Sequence, residues 1–276
     1  MQKIKKENNV QLSGETKLYP IIGHPIAQVR SPRFLTQIFE RRGINAIVPP
    51  LNVLPENIRP VLDTLRKIEN VGGIVVTLPH KIDALAACDV VSERAKFAGS
   101  INVIHKDAQG RYIADNVDGI GYMDGVRALG FDIAGKRALL IGVGGAGSAV
   151  AYEILARGAA HLKIAELNTT RRDTTIAALE TQFPGRVGVG SDDPTGVDFV
   201  ANVTPCGMRE NDPFPADPAK MNANQFVADS ITKPAVTPML RAARNLGCDT
   251  MTGAGMFDAE AERLVDFLLG EGLPAQ

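Results

Sequence analysis

Residues 137–150 read Arg137-Ala-Leu-Leu-Ile-Gly142-Val-Gly144-Gly-Ala-Gly147-Ser-Ala-Val150. This is a Gly-x-Gly-x-x-Gly pattern that directly follows an apolar strand pattern and opens a helix pattern, the setting in which it binds a dinucleotide. Gly142 permits the tight turn, Gly144 lets the backbone approach a pyrophosphate, and Gly147 lets helix and strand pack closely. Amides at the helix start then face the phosphate charge. The stretch therefore predicts an α/β dinucleotide-binding domain.

Strand patterns and helix patterns alternate on both sides of this motif. In the first half, strands are predicted at 18–22, 46–53 and 73–77, helices at 32–42, 56–67 and 82–87, and a hairpin at 101–105 and 112–114. In the second half, helices are predicted at 119–129, 146–157, 174–182, 238–246 and 257–269, and strands at 137–141, 161–167, 199–203, 225–229 and 249–252. Such alternation is typical of mainly parallel sheets with helices on both faces. The chain is thus predicted to be an α/β protein of two domains, with a boundary near residue 120.

Composition excludes several classes of function. Of the 276 residues 45% are apolar and 22% charged, and the formal charge is −1, so there is no net basic field for nucleic acid or an anionic membrane. No apolar run approaches the roughly 18 residues of a membrane helix, and the start lacks the apolar middle of a signal peptide. Three scattered cysteines and four separated histidines predict neither a disulfide framework nor a metal site. We expect a cytoplasmic protein in which residues 1–17 form a polar leader.

An acidic residue stands where a dinucleotide ribose would be recognised. Glu166 ends the strand after the glycine motif, 19 residues beyond Gly147. A carboxylate there accepts hydrogen bonds from both ribose hydroxyls of NAD and repels a 2′-phosphate. Two alternatives stay open: Glu166 is a solvated surface residue, or Arg171 and Arg172 bind the 2′-phosphate of NADP. The spacing favours NAD over NADP.

Lys81 and Asp118 form a candidate acid–base pair in the first half. Hydride transfer between a carbinol and a ketone needs a proton donor or acceptor at the oxygen. A lysine serves when burial lowers its pKa, and a neighbouring carboxylate can orient and tune it. The alternative is a solvated charge at a helix start for Lys81 and a helix cap for Asp118.

Seven motifs carry a family resemblance. They are Gly23-His-Pro-Ile-Ala-Gln-Val-Arg-Ser31-Pro, Val76-Thr77-Leu-Pro-His-Lys81, Gly99-Ser-Ile-Asn102, Asp115-Asn-Val-Asp118-Gly-Ile-Gly, Gly142-Val-Gly-Gly-Ala-Gly147, Asn202-Val-Thr-Pro-Cys-Gly-Met208 and Gly253-Ala-Gly-Met-Phe-Asp-Ala-Glu260. They occur in the order found in the shikimate dehydrogenase family, which the sequence resembles from about residue 18 to its end. The resemblance implies a substrate domain of residues 18–119 plus 253–276, to which the last helix returns, and a Rossmann domain of residues 120–252.

The resemblance also implies roles for matched residues. Lys81 matches the lysine that exchanges a proton at the reacting oxygen, and Asp118 matches its partner. The implied substrate-binding residues are Ser31 at the carboxylate, Thr77 and Asn102 at the ring hydroxyls, and Glu260. The implied cofactor-binding residues are Gly142, Gly144, Gly145, Ala146, Gly147, Glu166, Arg171, Thr204, Met208 and Gly253. No metal is implied.

Several positions depart from the family pattern. The usual Ser-x-Ser is Val29-Arg30-Ser31, so one hydroxyl is missing at the carboxylate site. The usual Gln of the last helix is Glu260, and a usual Tyr beside the nicotinamide is Thr232. The Asn-Arg-Thr typical of NADP binding is Glu166-Leu167-Asn168, although Arg171 is kept. These changes leave the chemistry intact and affect the choice of substrate and cofactor.

The sequence therefore predicts reversible NAD(P)-dependent reduction of 3-dehydroshikimate to shikimate, with NAD preferred. The alternatives are a quinate or aminoquinate dehydrogenase of the same mechanism, or a non-catalytic nucleotide-binding sensor. Expected partners are a small hydroxy acid, shikimate or quinate, with no nucleic acid or membrane. A homodimer is compatible with the sequence, which does not fix the oligomeric state.

Overall fold

The computed structural model describes residues 12–27 and 29–274. They form two compact units. The first comprises the described residues up to Ser92, Ser100–Asp115, and the chain from Ala261 onward; the second comprises Glu93–Gly99 and Asn116–Glu260. The first eleven positions of the predicted polar leader lie outside the described residues. Thr16, near its end, is buried.

The first unit is built on a mixed sheet. Its elements are β1 (Lys17–Leu18), β2 (Ile21–Gly23), α1 (Ser31–Arg41), β3 (Ala46–Ile47), β4 (Pro50–Asn52), a 3-10 helix (Pro55–Asn57), α2 (Ile58–Arg66), β5 (Gly73–Val76), a second 3-10 helix (Asp83–Ala87), β6 (Val90–Val91), β7 (Val103–Lys106) and β8 (Tyr112–Asp115). Among the described residues the strand order is β4-β2-β5-β7-β8-β6, with β1 and β3 paired separately.

Strand directions in this sheet bring several chain segments to one edge. β2 and β5 are parallel, whereas β7 is antiparallel to both β5 and β8. The carboxyl ends of β2, β5 and β8 and the amino end of β7 therefore lie at the same edge. The predicted hairpin of residues 101–105 and 112–114 is confirmed as β7 and β8, because Val103 pairs with Asp115.

The single strand predicted at residues 46–53 is wrong. The segment forms two short strands, β3 and β4, which pair with different neighbours. Pro49 and Pro50 stand between and at the start of these strands, and neither has an amide hydrogen to continue a ladder. β4 accordingly lies at the edge of its sheet, where a proline is tolerated.

The second unit is a Rossmann fold. Its elements are α3 (Glu93–Ala98), α4 (Asp118–Ala128), β9 (Arg137–Ile141), α5 (Gly145–Ala156), β10 (His161–Ala165), α6 (Thr169–Gln182), β11 (Val187–Val189), β12 (Phe199–Asn202), a 3-10 helix (Pro218–Lys220), β13 (Phe226–Asp229), α7 (Pro238–Asn245), β14 (Asp249–Met251) and the first part of α8 (Gly253–Leu268). All its paired strands are parallel, in the order β11-β10-β9-β12-β13-β14. This is the 3-2-1-4-5-6 order of dinucleotide-binding sheets, so the predicted fold class is confirmed.

Local chemistry decides where two helices of the structure begin and pack. α6 begins at Thr169, five residues before the predicted start, because the Asn168 side chain accepts a hydrogen bond from the Arg171 amide at 3.0 Å and caps the helix. Within the first unit, Arg42, which follows α1, donates to Glu262 at 2.7 Å and to Asp266 at 2.8 Å, both on the second half of α8.

In the part of the chain described, no helix is long and apolar enough to cross a membrane.

Candidate functional site

The glycine motif forms a tight phosphate-type loop between β9 and α5. Gly142 has φ +91°, a conformation that favours glycine, and a Cβ there would lie 2.6 Å from the Thr204 methyl carbon. A Cβ on Gly147 would lie 2.2 Å from the Gly142 carbonyl oxygen, so helix and strand are in backbone contact. Gly144 is the N-cap of α5, and the first amides of a helix, here those of Gly145 and Ala146, have no partner within the helix. The loop thus offers unpaired amides and a positive helix end to an anion.

A cavity of about 670 Å³ opens beside this loop within the second unit. One wall is the phosphate loop, and another is the Val203–Cys206 segment after β12. Leu167 and Phe214 line it as well, and their side chains are 98% and 47% exposed. Exposed apolar side chains beside a polar loop suit a flat ring on one part of a ligand and phosphates on another.

Glu166 lies in the cavity wall as an ionised carboxylate. Its Oε2 accepts a hydrogen bond from the Val143 amide at 3.1 Å, and its Oε1 accepts one from the Asn168 amide at 2.9 Å. Burial alone would raise its pKa, but these backbone hydrogen bonds and the Arg171 charge lower the pKa overall. Arg171 Nε lies 3.9 Å from Glu166 Oε2, so the guanidinium already has a carboxylate neighbour.

The residues of the cavity fit a nicotinamide dinucleotide. The glycine cradle leaves space that a Cβ at Gly142 or Gly147 would fill, and the α5 start supplies amides for a pyrophosphate. Glu166 directly follows β10, the strand beside β9, which leads into the glycine loop. The proposed cofactor role of Arg171 and Thr204 is consistent with their position, because both line the cavity.

Buried polar groups fix the cavity segment after β12. Asn202 Oδ1 accepts hydrogen bonds from the Thr204 amide at 3.0 Å and hydroxyl at 2.7 Å, while Asn202 Nδ2 donates to the Cys206 carbonyl at 3.1 Å. The same Nδ2 donates to Asp229 Oδ1 at 3.2 Å. The segment is therefore held from beneath by side chains at the ends of β12 and β13.

Three candidate residues of the first unit lie on neighbouring main-chain segments at the shared sheet edge. Thr77 follows β5 directly, and its amide donates to the Ile22 carbonyl at 2.9 Å. The Lys81 carbonyl accepts from the Ile101 amide at 2.8 Å, so the main chain of Lys81 lies next to that of Asn102. Asn102 is buried, and Lys81 is half-buried. The structure thus brings Thr77, Lys81 and Asn102 together.

Ser31 is the first residue of α1, the helix that follows β2 along the chain. The preceding Arg30 is exposed and forms no side-chain cap, and Val29 is half-buried. A helix start attracts an anion through its free amides and its dipole. Ser31 therefore supplies a hydroxyl beside a positive helix end, whereas Val29 supplies none.

Asp118 and Glu260 lie on neighbouring helices of the second unit. Asp118 is buried at the first turn of α4, and its amide donates to Asn116 Oδ1 at 3.1 Å. One turn later, a Cβ on Gly121 would lie 2.7 Å from the Glu260 Cα, so α4 and α8 are in backbone contact there. Two carboxylate residues are thus carried by one closely packed helix pair.

Some candidates lie away from the cavity, and some cavity residues were missed. Of the predicted cofactor-binding residues, five do not line the cavity: Gly145, Ala146 and Gly147 of the loop and α5, the exposed Met208, and Gly253, which packs against the Ile231 carbonyl. Sequence reasoning missed Asp192 and Phe214, which line it. The available signals were an acid just after β11 and the Pro213-Phe214-Pro215 run in a loop.

No group of three or more His, Cys, Asp or Glu residues among those described could hold a metal ion.

A glycine loop of this kind in a sheet of this order is typical of dinucleotide-binding proteins, and NAD(P)-dependent oxidoreductases are among them. Relatives of the chain narrow this class. The shikimate dehydrogenase (NADP(+)) of Rubrobacter xylanophilus is 32% identical over 262 residues, which cover 92% of each chain. A family model described as the shikimate dehydrogenase substrate binding domain matches residues 21–104. The chain belongs to the shikimate dehydrogenase family, whose enzymes are oxidoreductases that act on a CH–OH group.

Two solved structures extend the comparison. The ligand-free 5-ketofructose reductase of Gluconobacter sp. strain CHM43 has a TM-score of 0.87 and 26% identity, covering 94% of this chain and 95% of that one. The shikimate 5-dehydrogenase of Thermus thermophilus, in complex with NADP(H) and shikimate, has a TM-score of 0.81 and 26% identity, and the match again covers 94% of this chain and 95% of that one. The fold is therefore shared by proteins named for different substrates.

Proposed function

We propose that this chain catalyses the reversible NAD(P)-dependent interconversion of shikimate and 3-dehydroshikimate. The observation that carries the proposal is the edge of the first unit, where Lys81 lies beside Asn102 and Thr77, in a chain whose relatives are shikimate dehydrogenases. In this proposal residues 18–119 and 253–276 bind the hydroxy acid and residues 120–252 bind the cofactor.

Each residue assigned to the hydroxy acid has a chemical task in this proposal. Asn102 and Thr77 hydrogen-bond the ring hydroxyls and orient the carbon that reacts. The Ser31 hydroxyl and the α1 amides bind the carboxylate. Lys81 holds or releases the proton of the reacting oxygen, and we assign Asp118, a residue of the second unit, as the carboxylate that acts with it. The bound cofactor supplies the hydride acceptor or donor.

Initial rates with shikimate and quinate, each with NAD and NADP, test this proposal. We expect the highest kcat/KM with shikimate. A preference for quinate would favour the alternative dehydrogenase. Cofactor binding without turnover of either acid would favour the non-catalytic sensor.

We further propose that the cofactor is NAD, although the named relatives are NADP(+) enzymes. The Glu166 carboxylate is held by two backbone amides, so it cannot easily turn away from a ribose. A 2′-phosphate beside it would bring like charges together at a cost of several kcal/mol. Arg171, the rival phosphate ligand, is already neighboured by Glu166.

Glu166→Ala is expected to narrow the gap in kcat/KM between NAD and NADP. Removing the carboxylate removes the repulsion of a 2′-phosphate and frees Arg171 to bind it. Steady-state kinetics with both cofactors measure this, with Glu180→Ala as a control carboxylate on the same unit. A higher kcat/KM with NADP in the unmodified protein would contradict the assignment of NAD. It would indicate that Arg171 and Arg172 bind the 2′-phosphate.

The second candidate substrate class is a neutral keto sugar. The observation that favours it is Val29, which leaves the α1 start with one hydroxyl where the family pattern has two, together with the likeness to a 5-ketofructose reductase. A neutral polyhydroxy ketone would need no carboxylate site. Reduction of 5-ketofructose at a higher kcat/KM than 3-dehydroshikimate would establish this candidate.

Val29→Ser is expected to lower KM for shikimate about fivefold, the effect of about 1 kcal/mol from one restored hydrogen bond. Turnover should change little, because the carboxylate is remote from the reacting carbon. Val29→Ala serves as the control that changes size without adding a donor. An unchanged or higher KM in the serine variant would mean that Arg30 or another group already binds the carboxylate.

A further inference from the structure

Asp229, the last residue of β13, is a buried carboxylate without a cation. Its side chain is fully buried. It accepts three hydrogen bonds: Oδ1 from Asn202 Nδ2 at 3.2 Å and from the Ile231 amide at 2.9 Å, and Oδ2 from the Thr237 hydroxyl at 2.8 Å. Among the described residues, no lysine or arginine forms an ion pair with it. Burial raises the pKa of the Asp229 carboxyl, and these three hydrogen bonds oppose that rise because each donates to the ionised form.

This carboxylate is joined to the cavity through one side chain. Asn202 bonds Asp229 with its amide nitrogen and holds Thr204 and Cys206 with the same side chain. Thr204 and Cys206 line the dinucleotide cavity. The Asn202 side chain therefore links the Asp229 carboxylate directly to two residues of the cavity wall.

The field of this charge extends through the interior of the unit. The pKa of Tyr122, on α4, lies well above its ordinary value, first because the phenol is buried and second because Asp229 is negative. Charges in a protein interior are screened far less than in water. The same negative potential that disfavours a phenolate would stabilise a cationic ring bound in the cavity.

We propose that Asp229 is the counter-charge that makes this cavity bind the oxidised nicotinamide cofactor more tightly than the reduced one. The oxidised ring carries a positive charge and the reduced ring does not, so a fixed anion beneath the wall stabilises only the oxidised form. The inference rests on the proposed cofactor function of this cavity. It assigns Asp229 a positioning and electrostatic role, without contact to the reacting atoms.

The test is the pattern of dissociation constants in Asp229→Asn, measured calorimetrically for NAD⁺, NADH and ADP-ribose. Asparagine keeps the shape and can keep all three hydrogen bonds, because its amide can donate to the Thr237 hydroxyl. The affinity for NAD⁺ should fall about tenfold, which corresponds to a unit charge about 12 Å from the ring at an effective dielectric constant of about 20. The affinities for NADH and for ADP-ribose, which lacks the ring, should stay within about twofold.

Thr237→Val is the matched control, because it removes one hydrogen bond from Asp229 and keeps the charge. Its ratio of NAD⁺ to NADH affinity should equal that of the unmodified protein. Asp229→Ser, a smaller neutral variant, should shift the ratio of NAD⁺ to NADH affinity in the same direction as Asp229→Asn. It replaces Asp229→Asn in the test if the asparagine variant does not fold.

Two results would overturn the inference while leaving the cofactor assignment standing. One is an unchanged ratio in both neutral variants, and the other is an equal loss for all three ligands, which would show a purely structural role. Failure of the unmodified protein to bind any of the three would overturn the cofactor assignment itself, and the inference with it.

Discussion

Lys81→Ala is expected to lower kcat by about 10²–10⁴-fold, the usual contribution of a general acid–base group. Help with proton transfer matters most in the transition state, so the loss should appear in kcat rather than in substrate binding. Cofactor affinity should hardly change, since the phosphate loop belongs to the other unit. Steady-state rates together with cofactor titration measure both quantities, and circular dichroism reports that the fold is intact.

Controls for this variant come from the same chain. Lys67→Ala removes an exposed lysine of the same unit and should leave kcat unchanged. Asp118→Asn should also slow turnover, because a neutral amide cannot tune the amine. If Lys81 and Asp118 serve the same proton transfer, their effects should not add, and the double variant should be little slower than Lys81→Ala alone. Near-normal turnover in folded Lys81→Ala would show that the proton goes elsewhere.

Gly147→Ala is expected to weaken cofactor binding about a hundredfold and to lower Tm. Its Cβ would lie 2.2 Å from the Gly142 carbonyl oxygen, a backbone atom that can yield only if helix α5 or the phosphate loop moves. Overpacking of this kind costs about 1–3 kcal/mol and would displace the amides that face the phosphates. Thermal unfolding and cofactor titration measure the two effects.

Gly144→Ala separates packing from binding. Gly144 has φ −68°, and the nearest atom to a Cβ there is Arg171 Nη1 at 3.9 Å, so alanine fits the free protein. We expect an unchanged Tm but weaker cofactor binding, because the methyl group occupies the approach of the pyrophosphate. Normal cofactor binding in both alanine variants would show that this loop does not bind the phosphates.

The fold class follows from local signals that the sequence carries strongly. The run Arg137–Ile141 followed by three spaced glycines predicts a buried strand, a tight turn and a helix, and each needs only neighbouring residues. Short edge strands carry weaker signals. β11 is three residues long and contains Gly188, and it forms because β10 offers a free edge, which is a tertiary cause.

Site residues could be predicted from the sequence where they directly follow a strand that has a clear sequence pattern. Glu166 follows β10 and lines the cavity, as its spacing from the glycines indicates. Asp229 is equally placed at the end of a strand, β13, but nothing local shows that its carboxylate meets the side chains of Asn202 and Thr237. Phe214 lines the cavity from a loop whose path depends on packing across the unit. Such contacts join residues that are distant in sequence, and pattern alone does not reveal them.

The most direct measurement follows the hydrogen that reacts. Shikimate carrying deuterium at the 3-position is mixed with the protein and NAD⁺, and the reduced nicotinamide is examined by mass spectrometry. The proposed function predicts that the deuterium appears in the reduced cofactor, and that Lys81→Ala abolishes the transfer on the same timescale. Binding of NAD⁺ without any transfer of deuterium from shikimate would contradict it.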